Sequence, residues 1–241
     1  MISGLYSAAT AMDAAATRHE ASAANLANAH MPGFRRRVVA QSSFENPVAN
    51  GQNTSLMAQP LGTEGEIKLD FTEGVSKQTG RNLDFALRGD GFFAVEGPAG
   101  PLYTRNGAFQ VNEDGDLTTV DGLLVRGVNG TITLPPTTSQ EAVMVDNQGR
   151  FTANGLEFGQ LETVQFADNS FLNPVGASLF QAPNNITPED SEVVVEQGAV
   201  EQGNVSYMDE LVNIMVASRQ YEAAQRVLRA IDEAIEKHIN N

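Results

Sequence analysis

The sequence predicts an α+β chain. Helices at the two ends pair as a coiled-coil-like layer, and an antiparallel β barrel or sandwich lies between them. Three observations carry this. All 10 prolines lie between Pro32 and Pro188, and no glycine occurs in 5–32 or after Gly203, so both ends lack helix breakers. All 12 phenylalanines fall between Phe34 and Phe180, which gives the middle its core-forming aromatics and leaves the ends without them. Glycine-containing turn dipeptides recur through the same middle. The expected divisions are 1–34 (N-terminal axial helix and turn), 35–80 (extended linker or β connector), 81–185 (central β-domain), 186–203 (connector) and 204–241 (C-terminal axial helix).

In the first helix Leu5, Met12, His19 and Leu26 recur seven apart, with Ala9, Ala16 and Ala23 four later. That is a thin heptad seam. The helix stops at "NLANAHMPGF" (25–34). Asn25 and Asn28 offer carboxamides to the carbonyls freed at the helix end. Pro32 disfavours helix at Met31, Gly33 allows a sharp exit, and Phe34 is an apolar anchor for the departing chain. Arg35, Arg36 and Arg37 follow, expected to meet acidic surfaces of neighbouring copies or solvent.

Residues 35–65 are polar and weakly patterned. The β-prone stretches come next: "FALR" (85–88), "FFAV" (92–95), "LLVR" (123–126), "TITL" (131–134) and "VQF" (164–166). They are punctuated by Gly89-Asp90-Gly91, Asn106-Gly107, Asp114-Gly115, Asp121-Gly122, Asn129-Gly130 and Asn154-Gly155, which are mostly hairpin chemistry. "VEQG" occurs twice (195–198 and 200–203), a local turn duplication.

The last segment carries the stronger seam. Ile214, Ala217, Tyr221, Ala224, Leu228, Ile231 and Ile235 alternate spacings of three and four, and Glu222–Arg226 and Glu233–Lys237 suit a solvated face. An isolated helix of this kind is marginal in water. The two ends must therefore pack together or against other subunits, and folding of the ends on polymerisation is the expectation.

Catalytic motifs are weak. "GDGFFA" (89–94) has dinucleotide-fingerprint spacing, but Phe92, Phe93 and Val95 follow where a helix is required. "NEDGDL" (112–117) lacks the calcium-loop glycine and glutamate positions and reads as an acidic hairpin turn. "RGD" (88–90) reads as a strand end and tight turn. His19, His30 and His238 have no metal-ligand spacing; His19 and His238 fall on seam positions. There is no nucleophile elbow, no phosphate-binding loop and no cysteine. No enzyme, metal or cofactor is nominated. Fifteen Lys plus Arg against 30 Asp plus Glu, a net charge of −15, argue against nucleic acid and anionic membrane. No apolar run approaches the roughly 18 residues that span a bilayer. The N-terminus lacks a signal peptide's basic and apolar regions, so the compartment is cytoplasmic by default, or reached by an export route that leaves no cleavage mark.

Four blocks resemble a known family: "SGLYSAATAM", the 25–34 stretch, "LDFALRGDGFFAV" with "YTRNGAFQVNEDGDL", and "EQGNVSYMDELVNIMVASRQYEAAQRVL". Together and in this order they are similar to the bacterial flagellar rod and hook axial proteins, specifically the basal-body rod members. Ala24, Met31 and Gly203 depart from the family's usual Asn, Thr and Ser. The resemblance implies a structural subunit that polymerises through its terminal helices into the helical drive shaft carrying torque from motor to hook. It implies as partners copies of itself, neighbouring rod proteins and the flagellar type III export apparatus, and a basal-body location reached without signal cleavage. Assembly contacts then fall on Leu5, Met12, Asn25, Leu26, Asn28, Gly33 and Phe34 at one end. At the other they fall on Asn204, Ile214, Tyr221, Leu228, Ile231 and Ile235. "MISGLY" and the Pro-Gly-Phe turn favour a proximal-rod over a distal-rod or hook-type subunit. Outside the family, the alternative is a free-standing β-domain that binds carbohydrate or cell wall.

Overall fold

A computed structural model describes residues 2–40, 66–136, 140–191 and 193–239. The chain forms two compact units. One holds helix α1 (Ile2–Ala27), helix α2 (Tyr207–Ile239) and most of a ladder between strands Arg36–Ala40 and Glu66–Asp70. The other, residues 28–36 and 70–205, is β-rich.

Alanine, the best helix former, dominates α1, and nothing in it breaks the helix before Ala27. α2 begins after Ser206, whose carbonyl accepts from Glu210 N at 3.1 Å. Asp209 and Glu210 in its first turn complement the helix dipole. The helices pack along each other. Gly4 lies against Ile231, and Arg18 Nη1 donates to Gln220 Oε1 at 2.8 Å, so they run antiparallel.

The α1 seam differs from the expected one. The buried residues are Ala8, Ala15, Ala21, Ser22 and Asn25. Leu5, Met12, Ala23 and Leu26 are half-buried, while Ala9, Ala16 and His19 are exposed. Side-chain size misplaces the seam: the helices approach through the smallest residues, Ala8, Ala15 and Ser22, and the larger ones flank the contact. On α2, Ala217 and Ala224 are buried and Ile214, Leu228 and Ile231 half-buried. Tyr221 stays 40% exposed. The side chains of Ile235 and His238 lie outside the described residues.

In the β-rich unit every paired register among the described residues is antiparallel. A six-stranded sheet runs in the order Asn173–Pro174, Leu179–Gln181, Gly100–Thr104, Phe92–Gly97, Thr163–Gln165, Glu189–Asp190. Val143–Val145, Arg150–Ala153 and Leu156–Gln160 form a three-stranded sheet. Two-stranded ladders join Phe85–Arg88 to Val194–Gln197, and Ser76–Gln78 to Ala199–Glu201. Among the described residues no sheet closes into a barrel. The predicted strands at 123–126 and 131–134 shrink to Arg126–Gly127 and Gly130–Thr131 with single bridges, and ladders this short cannot close a ring.

Phe92–Gly97 is covered on both faces. Phe93 and Val95 enter a core with Phe85, Phe109, Leu117, Val125 and Phe151. Phe92 faces a second cluster with Phe71, Phe166 and Phe180. That two-sided burial explains the unbroken apolar run "FFAV". Phe93 is fully buried with its ring 5.2 Å from Phe109. Phe93→Ala is expected to destabilise the protein by about 3–5 kcal/mol, read as a lower urea midpoint.

Candidate assembly site

The stretch after α1 is built by close backbone approach. α1 ends at Ala27, and Met31 N donates to Asn28 O in the turn that follows. Gly33 has φ +68°, and a Cβ there would overlap the backbone of Arg105 and Asn106. Both conditions require glycine. Gly33 N donates to Glu201 O at 2.8 Å, and Phe34 is buried beside Gly203.

Arg35 is not a surface charge: it is 1% exposed. Its Nη1 donates to Glu201 Oε1 at 2.6 Å, and Arg105 Nη1 donates to Glu201 Oε2 at 3.1 Å. Gly74 N also donates to Glu201 Oε1, at 2.8 Å. Arg105 further donates to Gly89 O at 2.6 Å and lies over the Phe92 ring. Burial pushes the Arg105 guanidinium below the usual arginine value; Glu201 opposes that shift and Arg35 adds to it. Buried charges persist only when paired, and here one carboxylate serves two guanidiniums.

Two asparagines hold the segment that leaves this cluster, each with both ends of its amide. Asn25 Oδ1 accepts from Arg37 N at 2.7 Å, and its Nδ2 donates to Arg37 O at 2.9 Å. It thus grips the outgoing strand instead of capping carbonyls of α1, as expected from the sequence. Asn204 Oδ1 accepts from Arg36 N at 2.7 Å while its Nδ2 donates to Asp70 O at 2.8 Å and Thr72 O at 3.1 Å. The structure therefore engages Asn25, Gly33, Phe34 and Asn204 closely, and half-buries Leu5, Met12, Leu26, Asn28, Ile214, Leu228 and Ile231.

Sequence reasoning misses Glu201 and Arg105, whose partners are distant in the chain. The "VEQG" duplication holds a signal: its two glutamates, Glu196 and Glu201, bind Arg88 and the Arg35–Arg105 pair. It also misses a second face of α2. Met208, Val212, Met215, Val216 and Val227 recur at helical spacing and are 46–69% exposed. By helical phase Met208, Val212 and Met215 lie across α2 from Ala217 and Ala224, and Val216 and Val227 lie to one side.

An open cleft of about 580 Å³ is lined by Glu96, Arg126, Glu162 and Asp190 among others, with no aromatic side chain on which a sugar could stack. Arg126 and Glu162 pair with each other there at 2.9 Å. Among the described residues no helix is long and apolar enough to cross a membrane.

Two family models match the chain: the flagellar hook protein FlgE/F/G D1 domain over residues 86–153, and the flagellar basal body rod FlgEFG protein C-terminal over 196–241. The chain is 33% identical to the flagellar basal-body rod protein FlgG of Agrobacterium fabrum over 251 residues, covering 94% of each. The chain belongs to the flagellar basal-body rod protein family. It is 30% identical to FlgF of Mesorhizobium japonicum, over 98% of this chain and 97% of that one. It is 28% identical to FlgG of Bacillus subtilis, over 100% and 99%. As a rod-family member it is a structural protein of the flagellar basal body. Similarity that includes both helices leaves no support for a free-standing carbohydrate-binding module.

Two sets of variants test the Gly33–Glu201 cluster of this rod protein. Gly80 shares a positive φ of +75° but has open space around it. Gly80→Ala is expected to cost about 1–2 kcal/mol, and Gly33→Ala clearly more, in urea unfolding. Glu201→Gln leaves two buried guanidiniums without their counter-charge and is expected to cost about 3–5 kcal/mol.

Proposed function

We propose that the chain polymerises through its terminal helices into the rod that transmits torque from motor to hook. α1 and α2 supply a coiled-coil-like layer, and the exposed face of α2 receives neighbouring copies or adjacent rod proteins. The observation that carries this is the stripe Met208, Val212 and Met215, with Val216 and Val227 beside it, left in water on a protein of net charge −15. An apolar stripe of this kind marks a protein interaction site. Heterologous contacts repeated from copy to copy generate an open helical array, the geometry of a shaft. Delivery by the flagellar type III export apparatus, without a cleaved signal, accompanies this reading.

The "MISGLY" start and the Pro-Gly-Phe turn at 32–34 support a proximal-rod position, and the 30% identity to FlgF of Mesorhizobium japonicum accords with it. The 33% identity to FlgG of Agrobacterium fabrum favours the distal-rod alternative. Complementation separates them: the protein is expected to restore motility to a strain lacking its FlgF-type subunit and not to one lacking its FlgG-type subunit.

Val212→Lys tests the stripe. Charge on a half-exposed position is expected to change monomer stability by no more than about 0.5 kcal/mol. Incorporation into rods and swimming are expected to be lost. Normal rods built from Val212→Lys subunits would remove the stripe from the interface.

A further inference from the structure

Three Asn–Gly pairs lie among the described residues, and the fold treats them differently. Asn154 and Gly155 form the whole of a two-residue hairpin loop, with Ala153 and Leu156 paired on either side. Both are exposed. Asn154 has φ +52°, and among the described residues it is the one non-glycine with positive φ. A Cβ on Gly155 would meet nothing within 4 Å. Asn129 and Gly130 are also exposed, but Gly130 already pairs with Gly127 in its ladder.

Asn106 and Gly107 are held fast. Asn106 Oδ1 accepts from Ala108 N at 3.0 Å, and Asn106 N donates to Thr104 Oγ1 at 3.0 Å. Gly107 is buried, its carbonyl accepts from Phe85 N at 2.9 Å, and a Cβ on it would overlap the Phe85 carbonyl.

We propose that Asn154 is a site of spontaneous covalent modification, deamidating through a succinimide, and that the fold selects it over Asn106. The Gly155 backbone nitrogen, its proton taken by solvent base, attacks Cγ of Asn154. A Cγ–N bond forms, the Cγ–Nδ2 bond breaks, and Nδ2 takes up a proton and leaves as ammonia. Water then opens the ring. Breaking the new Cγ–N bond gives aspartate; breaking the original peptide bond between Asn154 and Gly155 gives isoaspartate. Water is the sole co-reactant, and no electrons change hands.

The selectivity is conformational. Ring closure requires rotation about the asparagine backbone and an unhindered nitrogen. Glycine supplies the second everywhere. A hairpin tip supplies the first at little cost, whereas a turn packed under a core strand opens only at a free energy approaching that of global unfolding. The product matters to the hairpin. Isoaspartate adds a methylene to the backbone in a loop whose two residues set the Ala153–Leu156 register. Either product adds a negative charge beside exposed Glu157.

The test is incubation of the folded, full-length protein in mildly alkaline buffer, followed by peptide mapping with mass spectrometry and isoaspartate quantification. Asn154 is expected to convert fastest and Asn106 about tenfold or more slowly, reflecting their different opening free energies. In denaturant the rates are expected to converge, and Asn154→Gln is expected to abolish conversion at that site alone. Equal rates at Asn154 and Asn106 in the folded protein would overturn the proposal. So would protection of Asn154 in the fold that disappears only in denaturant.

Discussion

The Glu201 carboxylate accepts from Arg35, Arg105 and Gly74, groups 166, 96 and 127 residues away in sequence. Its own carbonyl accepts from Gly33. Closing such loops costs conformational entropy that grows only slowly with length, so a few strong buried bonds can hold distant segments together. The positions around Glu201 are also mutually dependent. Gly33 must lack a Cβ for residues 33–35 to reach Glu201, and Phe34 and Arg35 are buried together beside it. Charge-assisted bonds to a buried carboxylate exceed neutral ones in strength, and they are directional. The cluster therefore fixes where residues 28–36 run within the β-rich unit, not merely that they adhere to it.

That cluster marks the boundary of what one sequence discloses. Helix ends are legible because local chemistry decides them: Pro32 and Gly33 bar α1 from resuming beyond the turn that follows Ala27, wherever the backbone goes next. The Asn154–Gly155 hairpin is legible for the same reason, since its dipeptide alone demands positive φ. Arg35 is misread because composition makes a surface site the default for an arginine, and its partner lies most of the sequence away. Asn25 is misread in direction: its amide suits a helix end and a strand edge equally well, and only the fold brings Arg37 to it. Barrel closure is the remaining overreach, because turn frequency predicts hairpins without specifying strand length.

The α1 seam fails in a more instructive way. Heptad spacing is correct, but weighting by side-chain size places it on Leu5 and Met12 when the contact centre runs through Ala8, Ala15 and Ser22. In an alanine-rich helix the small residues define the axis of approach, because only they let two backbones come close. The large residues then gain burial at the margins.

α2 sharpens the contrast, for it carries two apolar faces of different character. The face with Ala217 and Ala224 is small and buried against α1. The face with Met208, Val212 and Met215 is larger and stands in water. A helix that served only its own subunit would gain nothing from the second face, and exposed apolar area invites aggregation. A subunit that must stay dissolved before assembly and adhere afterwards needs that area, together with a charge that keeps copies apart until they dock in register. Net repulsion at −15 supplies the solubility, and it is screened within about a Debye length, roughly 8 Å at physiological salt. Short-range apolar contact can therefore prevail once two helices meet in register, and it gains nothing when they meet elsewhere.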